Sequence, residues 1–138
     1  MMLEKIIYKK KVYALLIRSK NQFRSNGVNF VTKNKDLLQL GFISHKKNHI
    51  INPHIHKKNK RIINYCTEVL LIKEGTLKVE FYSEKGINIK KDKKLYKNDI
   101  LILFRGGHGF EVTKDCKIVE IKQGPYTKKS DKVLFDKN

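Results

Sequence analysis

The chain has no tryptophan, two prolines, two cysteines and no apolar run long enough to form a membrane helix. A spanning helix needs about 20 predominantly apolar residues, so a helical membrane span is excluded. Cys66 and Cys116 stand singly, without CxxC spacing. That fits reduced thiols in a cytoplasm and leaves room for one disulfide at most. The opening stretch MMLEKIIYKKKVYALL sets Glu4 and a lysine cluster inside any would-be apolar core. It makes a poor signal peptide, so a cytoplasmic location is expected.

Acidic residues are also scarce, 13 against 31 basic ones, for a formal net charge of +18. Such an excess invites a nucleic-acid reading. Yet 27 of the basic residues are lysine and 4 are arginine, beside 11 asparagines and 16 isoleucines. Lys, Asn and Ile share A/T-rich codons, so codon composition accounts for much of the excess. The lysines gather neither on a groove-reading helix nor among interleaved aromatics. Nucleic acid is not the expected partner.

Helical periodicity is nearly absent. Short stretches rich in Val, Ile, Leu, Tyr and Phe predict strands at 11–19, 28–32, 37–45, 49–57, 68–74, 77–83, 100–104, 109–113 and 117–123. Lys73–Thr76 and Ser83–Gly86 read as hairpin turns, and one helical turn is placed at 33–38. Many short strands at this spacing predict an all-β sandwich or barrel. The 138 residues suffice for a single domain with its own core. The segment from 127 to 138 is a lysine-rich tail that Val133, Leu134 and Phe135 could dock.

Asn52-Pro-His-Ile-His56 is the first stretch with chemistry in it. On a strand His54 and His56 share a face, whereas on a helix they point about 200° apart. Pro53 pushes Asn52 into extended geometry, which favours the strand. Glu68, heading an apolar strand, and His108, in a glycine-rich turn, could join them. Imidazoles with a carboxylate suit a divalent transition metal.

Here the chain resembles the cupins. The first cupin motif is an HxH pair followed by a glutamate, with six residues between that glutamate and a glycine. His54-Ile-His56 and Glu68-Val-Leu-Leu-Ile-Lys-Glu-Gly75 match it. Asn98-Asp-Ile-Leu-Ile-Leu-Phe-Arg-Gly-Gly-His108 looks like the second motif, without its proline. The likeness runs from about 37 to 126. It is closest to small single-domain cupins associated with polysaccharide and nucleotide-sugar biosynthesis, through EVLLIKEG, GGHGFEV and EIKQGPY.

The resemblance implies a single-domain jelly-roll β-barrel over residues 1–138. Its metal (Fe, Mn, Ni or Zn) would be held by His54, His56, Glu68 and His108, and the chain would pair as a homodimer. Eleven residues separate His56 from Glu68 where the family has three or four, so Arg61, Lys57 and Lys58 would sit in an enlarged loop at the barrel mouth. Arg61 and Arg105 can grip a phosphate or carboxylate with both guanidinium nitrogens, and the loop lysines would attract an anion.

Glu120 and Lys122 alternate with aliphatic residues and so face either solvent or a polar cavity. In the cavity they, with Tyr126, would move protons. The expected activity is isomerisation or epimerisation of a small anionic sugar or sugar nucleotide. Two other readings use the same residues, an Fe(II)-dependent dioxygenase and a non-catalytic small-ligand-binding module.

Overall fold

The computed structural model describes residues 3–127 and 131–136. They group into two compact units, residues 22–64 forming one and the remaining described residues the other. The strands in chain order are β1 (Glu4–Tyr8), β2 (Lys11–Ile17), β3 (Gly27–Phe30), β4 (Gly41–Ser44), β5 (Glu68–Tyr82), β6 (Lys93–Tyr96), β7 (Ile100–Leu103) and β8 (Gly107–Lys122). Among the described residues there is no α-helix, only a 3₁₀ turn at Ser19–Asn21. The protein is all-β, as its patterning predicts.

In the larger unit the strands run β1-β2-β7-β5-β6, with β8 along the opposite edge of β5. All these pairs are antiparallel. Among the described residues the sheet does not close into a barrel. β7 is buried at every position and β2 over its last five, so both read as unbroken apolar runs. From Leu77 to Phe81 in β5 the burial alternates: Leu77, Val79 and Phe81 are buried while Lys78 and Glu80 are not. With Leu16, Ile72, Leu95 and Leu101 these form the core, each contributing about 1.5–3 kcal/mol by leaving water.

A polar clasp fixes the far side of this sheet. Asp99, 3% exposed, accepts the Ser19 amide at 2.9 Å, the Tyr96 amide at 3.1 Å and Arg18 Nη1 at 2.8 Å. Arg18 in turn donates from Nε to Glu4 at 2.7 Å and from Nη1 to the Lys94 carbonyl at 2.7 Å. A buried carboxylate is tolerated only when so satisfied.

The long hairpin of β5 and β8 departs most from the expected strands. Lys73–Thr76 does not turn, and the segments 68–74 and 77–83 are one strand, as are 109–113 and 117–123. The β5–β8 register slips between Ile72 and Leu77, so the ladder bulges there instead of ending. Gly75, at φ 77°, is the reason. A glycine with positive φ serves a bulge as well as a turn, and a side chain there would collide with the Asp115 carbonyl. The turn at Ser83–Gly86 does form, with the Gly86 amide donating to the Ser83 carbonyl at 3.0 Å and the Ser83 amide to Ile87 at 2.8 Å.

Two further expectations change. No strand forms over 49–57; Pro53 lacks a ladder donor, and Ile50, Ile51 and Ile55 stay exposed. The helical turn expected at 33–38 is a tight turn, its Asp36 amide donating to the Lys33 carbonyl at 2.9 Å. In the smaller unit β3 and β4 pair from Gly27↔Ser44 to Phe30↔Gly41. Phe23 meets Phe42 edge to face, 5.1 Å between centroids.

Candidate functional site

Glu68 opens β5, and His108 lies at the start of β8 in register with Phe81, near the other end of β5. A flat ladder would hold them far apart, since strands rise about 3.3 Å per residue. The bulged hairpin instead curls, and His108 Nε2 stands 3.2 Å from Glu68 Oε2. The buried Oε2 has an electrostatic neighbour but no sound hydrogen bond. The imidazole holds the Glu68 carboxyl below the usual carboxylate range, against burial, which pushes it up; Lys122 and Lys132 add smaller pulls the same way.

Lys122 is in register with Glu68 across the ladder. Its Nζ lies 5.0 Å over the Tyr126 ring and 3.8 Å from Asp131 Oδ2. Lys122 and Tyr126 thus come together beside Glu68, whereas Glu120, opposite Leu70, is exposed and makes no ion pair or hydrogen bond among the described residues. Gln123 ties the two strand ends: its Oε1 accepts the Thr67 amide at 3.0 Å, and its own amide donates to the Thr67 carbonyl at 3.2 Å. Cys66 Sγ reaches the Gln123 carbonyl at 3.5 Å. Burial, helped by the charge of Glu68, pushes this thiol's pKa up, so it is a poor nucleophile.

Arg105 is half-buried. Its guanidinium stacks 4.8 Å over Tyr65, and Nη1 is 3.9 Å from Glu84. A role for Arg105 in holding a ligand has to contend with those partners. Tyr65, Gln123 and Asp131 carry no sequence signal. Only register and the path of the tail place them here.

His54, His56, Lys57, Lys58 and Arg61 belong to the smaller unit. Their stretch is not a strand, yet the two imidazoles are still neighbours, 5.1 Å between centroids and nearly perpendicular. His54 Nδ1 is 3.0 Å from the Asn52 carbonyl. A carbonyl oxygen only accepts, so that nitrogen carries a proton, and in a neutral ring the lone pair is on Nε2. Lys57, Lys58 and Arg61 are exposed and make no ion pair among the described residues. The same unit holds a cavity of about 380 Å³ lined by Phe23, Arg24, Phe30 and Phe42 among others.

Within neither unit do three or more described His, Cys, Asp or Glu side chains gather closely enough to hold a metal. The Glu68–His108 pair nonetheless fits part of such a site. Two donors each about 2.0–2.2 Å from one ion stand roughly 3.0–3.5 Å apart, and these two stand at 3.2 Å. The orphaned Oε2 and the ionised state of the carboxyl suit a hard donor. His54, whose Nδ1 is engaged by the Asn52 carbonyl, leaves Nε2 as its ligating atom in the neutral ring.

Comparison with family models, curated proteins and solved structures gives no match to this chain. The likeness to the cupins therefore rests on the motifs quoted above.

Proposed function

We propose that the protein is a cupin-like metal enzyme that isomerises or epimerises a small anionic sugar or sugar nucleotide. The observation that carries this reading is the 3.2 Å approach of His108 to Glu68 across a bent strand. Two donor groups distant along the ladder are brought to ligand spacing inside a concave ribbon. Glu68 and His108 would hold one face of a divalent metal, and the motif resemblance makes His54 and His56 further candidate ligands.

Such an ion, when bound, polarises a carbonyl or hydroxyl oxygen. The chain's own part is then proton movement and binding. Lys122 is the group nearest Glu68 in register, and its ammonium rests on the Tyr126 ring, which is 60% exposed. These two are the candidates to give and take a proton beside the sugar carbon being inverted. Glu120 is the less favoured third, because it faces solvent. Lys57, Lys58, Arg61 and Arg105 would draw in the anionic substrate, Arg105 only by leaving Tyr65. Pairing of two copies remains part of the proposal.

The deciding experiment is metal analysis of untagged protein, wild type beside His54→Ala/His56→Ala and Glu68→Ala/His108→Ala. One equivalent of Fe, Mn, Ni or Zn, lost in both double variants, is expected. Metal-free wild type that cannot be reconstituted would end the metal reading. Oxygen uptake by the iron form would favour the dioxygenase.

A further inference from the structure

The smaller unit concentrates positive charge around an aromatic cavity that the metal reading does not use. From Gln22 to Asn64 it carries seven lysines, Arg24 and Arg61 against one acidic residue, Asp36. Asp36 is engaged by its own turn, where it accepts the Lys33 amide at 2.8 Å. The cavity, of about 380 Å³, is lined by Phe23, Arg24, Ser25, Asn29, Phe30 and Phe42 among others. Small-ligand pockets run from about 300 to 1,000 Å³ and set a few polar groups among apolar walls.

The three phenylalanines are held in place by their surroundings. Phe42 is buried on β4 and meets Phe23 edge to face, 5.1 Å between centroids. Phe23 itself sits at φ 51°, a left-handed backbone that a bulky residue adopts only at a cost. Phe30 lies against Gly41, its pair across the hairpin, 3.0 Å from where a side chain there would begin. Yet Phe23 and Phe30 remain 60% and 57% exposed. The fold fixes two large aromatic rings and leaves them open to solvent.

The polar groups of the cavity are placed as well. Asn29 Nδ2 donates to the Ser25 and Asn26 carbonyls, each at 3.3 Å, which uses both amide hydrogens. Its Oδ1 is left as an acceptor in the cavity wall. Arg24 makes no ion pair or hydrogen bond among the described residues.

We propose that this cavity binds a nucleoside 5′-phosphate. The base stacks on Phe23 and Phe30, Asn29 Oδ1 accepts an N–H from the base edge, and Arg24 pairs with the phosphate. Each part of that ligand answers a part of the site. A sugar phosphate alone would leave the rings unused, and a neutral nucleoside would leave Arg24 and the surrounding lysines unpaired. A nucleic-acid strand binds through successive aromatic platforms along a groove, whereas these rings line a single cavity. The inference goes beyond the proposed function and needs no metal.

The test is calorimetric titration of the full-length protein, with EDTA present, with adenosine and uridine 5′-monophosphates. Ribose 5-phosphate and the two free nucleosides are titrated beside them. At least one nucleotide is expected to bind about ten-fold tighter than ribose 5-phosphate and than its own nucleoside. Phe30→Ala removes one stacked ring and should raise that Kd about ten-fold. Arg24→Ala should raise it by a similar factor, and Arg24→Lys should restore only part of the loss. Ile43→Ala changes a similarly exposed residue of the same hairpin, outside the cavity lining, and should leave the Kd unchanged.

The assignment is overturned if neither nucleotide binds, or if ribose 5-phosphate binds as tightly. An unchanged Kd in Phe30→Ala or Arg24→Ala, or an equal loss in Ile43→Ala, overturns it too. Tighter capture of a thymidine oligonucleotide, falling steeply with salt, would give the rings to a nucleic-acid strand instead. A dimer that Phe30→Ala splits, with no nucleotide bound, would give them to a second copy. Because EDTA is present throughout, failure of the metal reading alters none of these constants.

Discussion

Glu68 and His108 are held 3.2 Å apart by a bend. His108 pairs in the ladder with Phe81, so the contact exists only while β5 and β8 curl together. The curl begins at the register slips around Gly75. The candidate site is therefore a property of the backbone as much as of the two side chains.

Gly75→Ala tests that dependence. A methyl group there requires a left-handed backbone and meets the Asp115 carbonyl. The substitution should cost about 3 kcal/mol or more, because strain and a backbone clash combine. Urea unfolding measures the loss. If the folded variant keeps the stability of the wild type, the bend does not depend on this glycine.

The acid limb of stability should report the Glu68–His108 contact. His108 holds the Glu68 carboxyl below its ordinary 4.5. A carboxylate with a depressed folded pKa contributes stability above its unfolded value, and loses it as pH falls through the folded one. Metal-free wild type should thus lose stability below about pH 4.5 more steeply than Glu68→Gln. Glu4, held down by Arg18 and Lys93, keeps part of the acid dependence in that variant. Melting temperatures across this range decide it; identical acid limbs would mean that the contact does not persist in solution.

Asp99→Ala should be the most damaging polar substitution in the sheet. It strips acceptors from the Ser19 and Tyr96 amides and leaves Arg18 with Glu4 and the Lys94 carbonyl. Breaking a buried pair by removing one partner costs about 3–5 kcal/mol. Arg18→Ala should cost a similar amount, and the double variant less than the sum, because both remove the same contact. Denaturant midpoints of the three variants supply the comparison.

The all-β class was legible because Val, Ile and Leu recur with period two or in short unbroken runs, as in Leu77-Lys-Val-Glu-Phe81 and Ile100–Leu103. The bend was not, since Gly75 announces a positive φ without saying whether the chain reverses or bulges. β6 escaped notice because Lys93-Lys94-Leu95-Tyr96 has one buried residue, Leu95, among exposed or half-buried ones. The strand expected through His54 and His56 illustrates the opposite failure. Alternation is only an opportunity to pair, and no ladder partner takes it up there. Glu68 and His108 were singled out by motif spacing, and they are neighbours. Lys122 and Tyr126 were also named and do meet, but Asp131, which faces Lys122, falls in a tail that shows only lysine richness in sequence.

Arg105 separates a structural arginine from a ligand-holding one. Its guanidinium lies over Tyr65 at 4.8 Å, with Glu84 within 3.9 Å, an arrangement that a lysine ammonium reproduces poorly. Arg105→Lys should therefore lose about 0.5–1 kcal/mol of stability, the range of a partly exposed cation–π contact. Tyr65→Leu should lose a similar amount. In a double-mutant cycle the two losses should overlap, leaving a coupling energy of about 0.5 kcal/mol or more. Additive losses would release Arg105 from Tyr65. Its guanidinium would then be available to an anionic ligand, and the Kd of a hexose phosphate for Arg105→Lys becomes the measurement that assigns it.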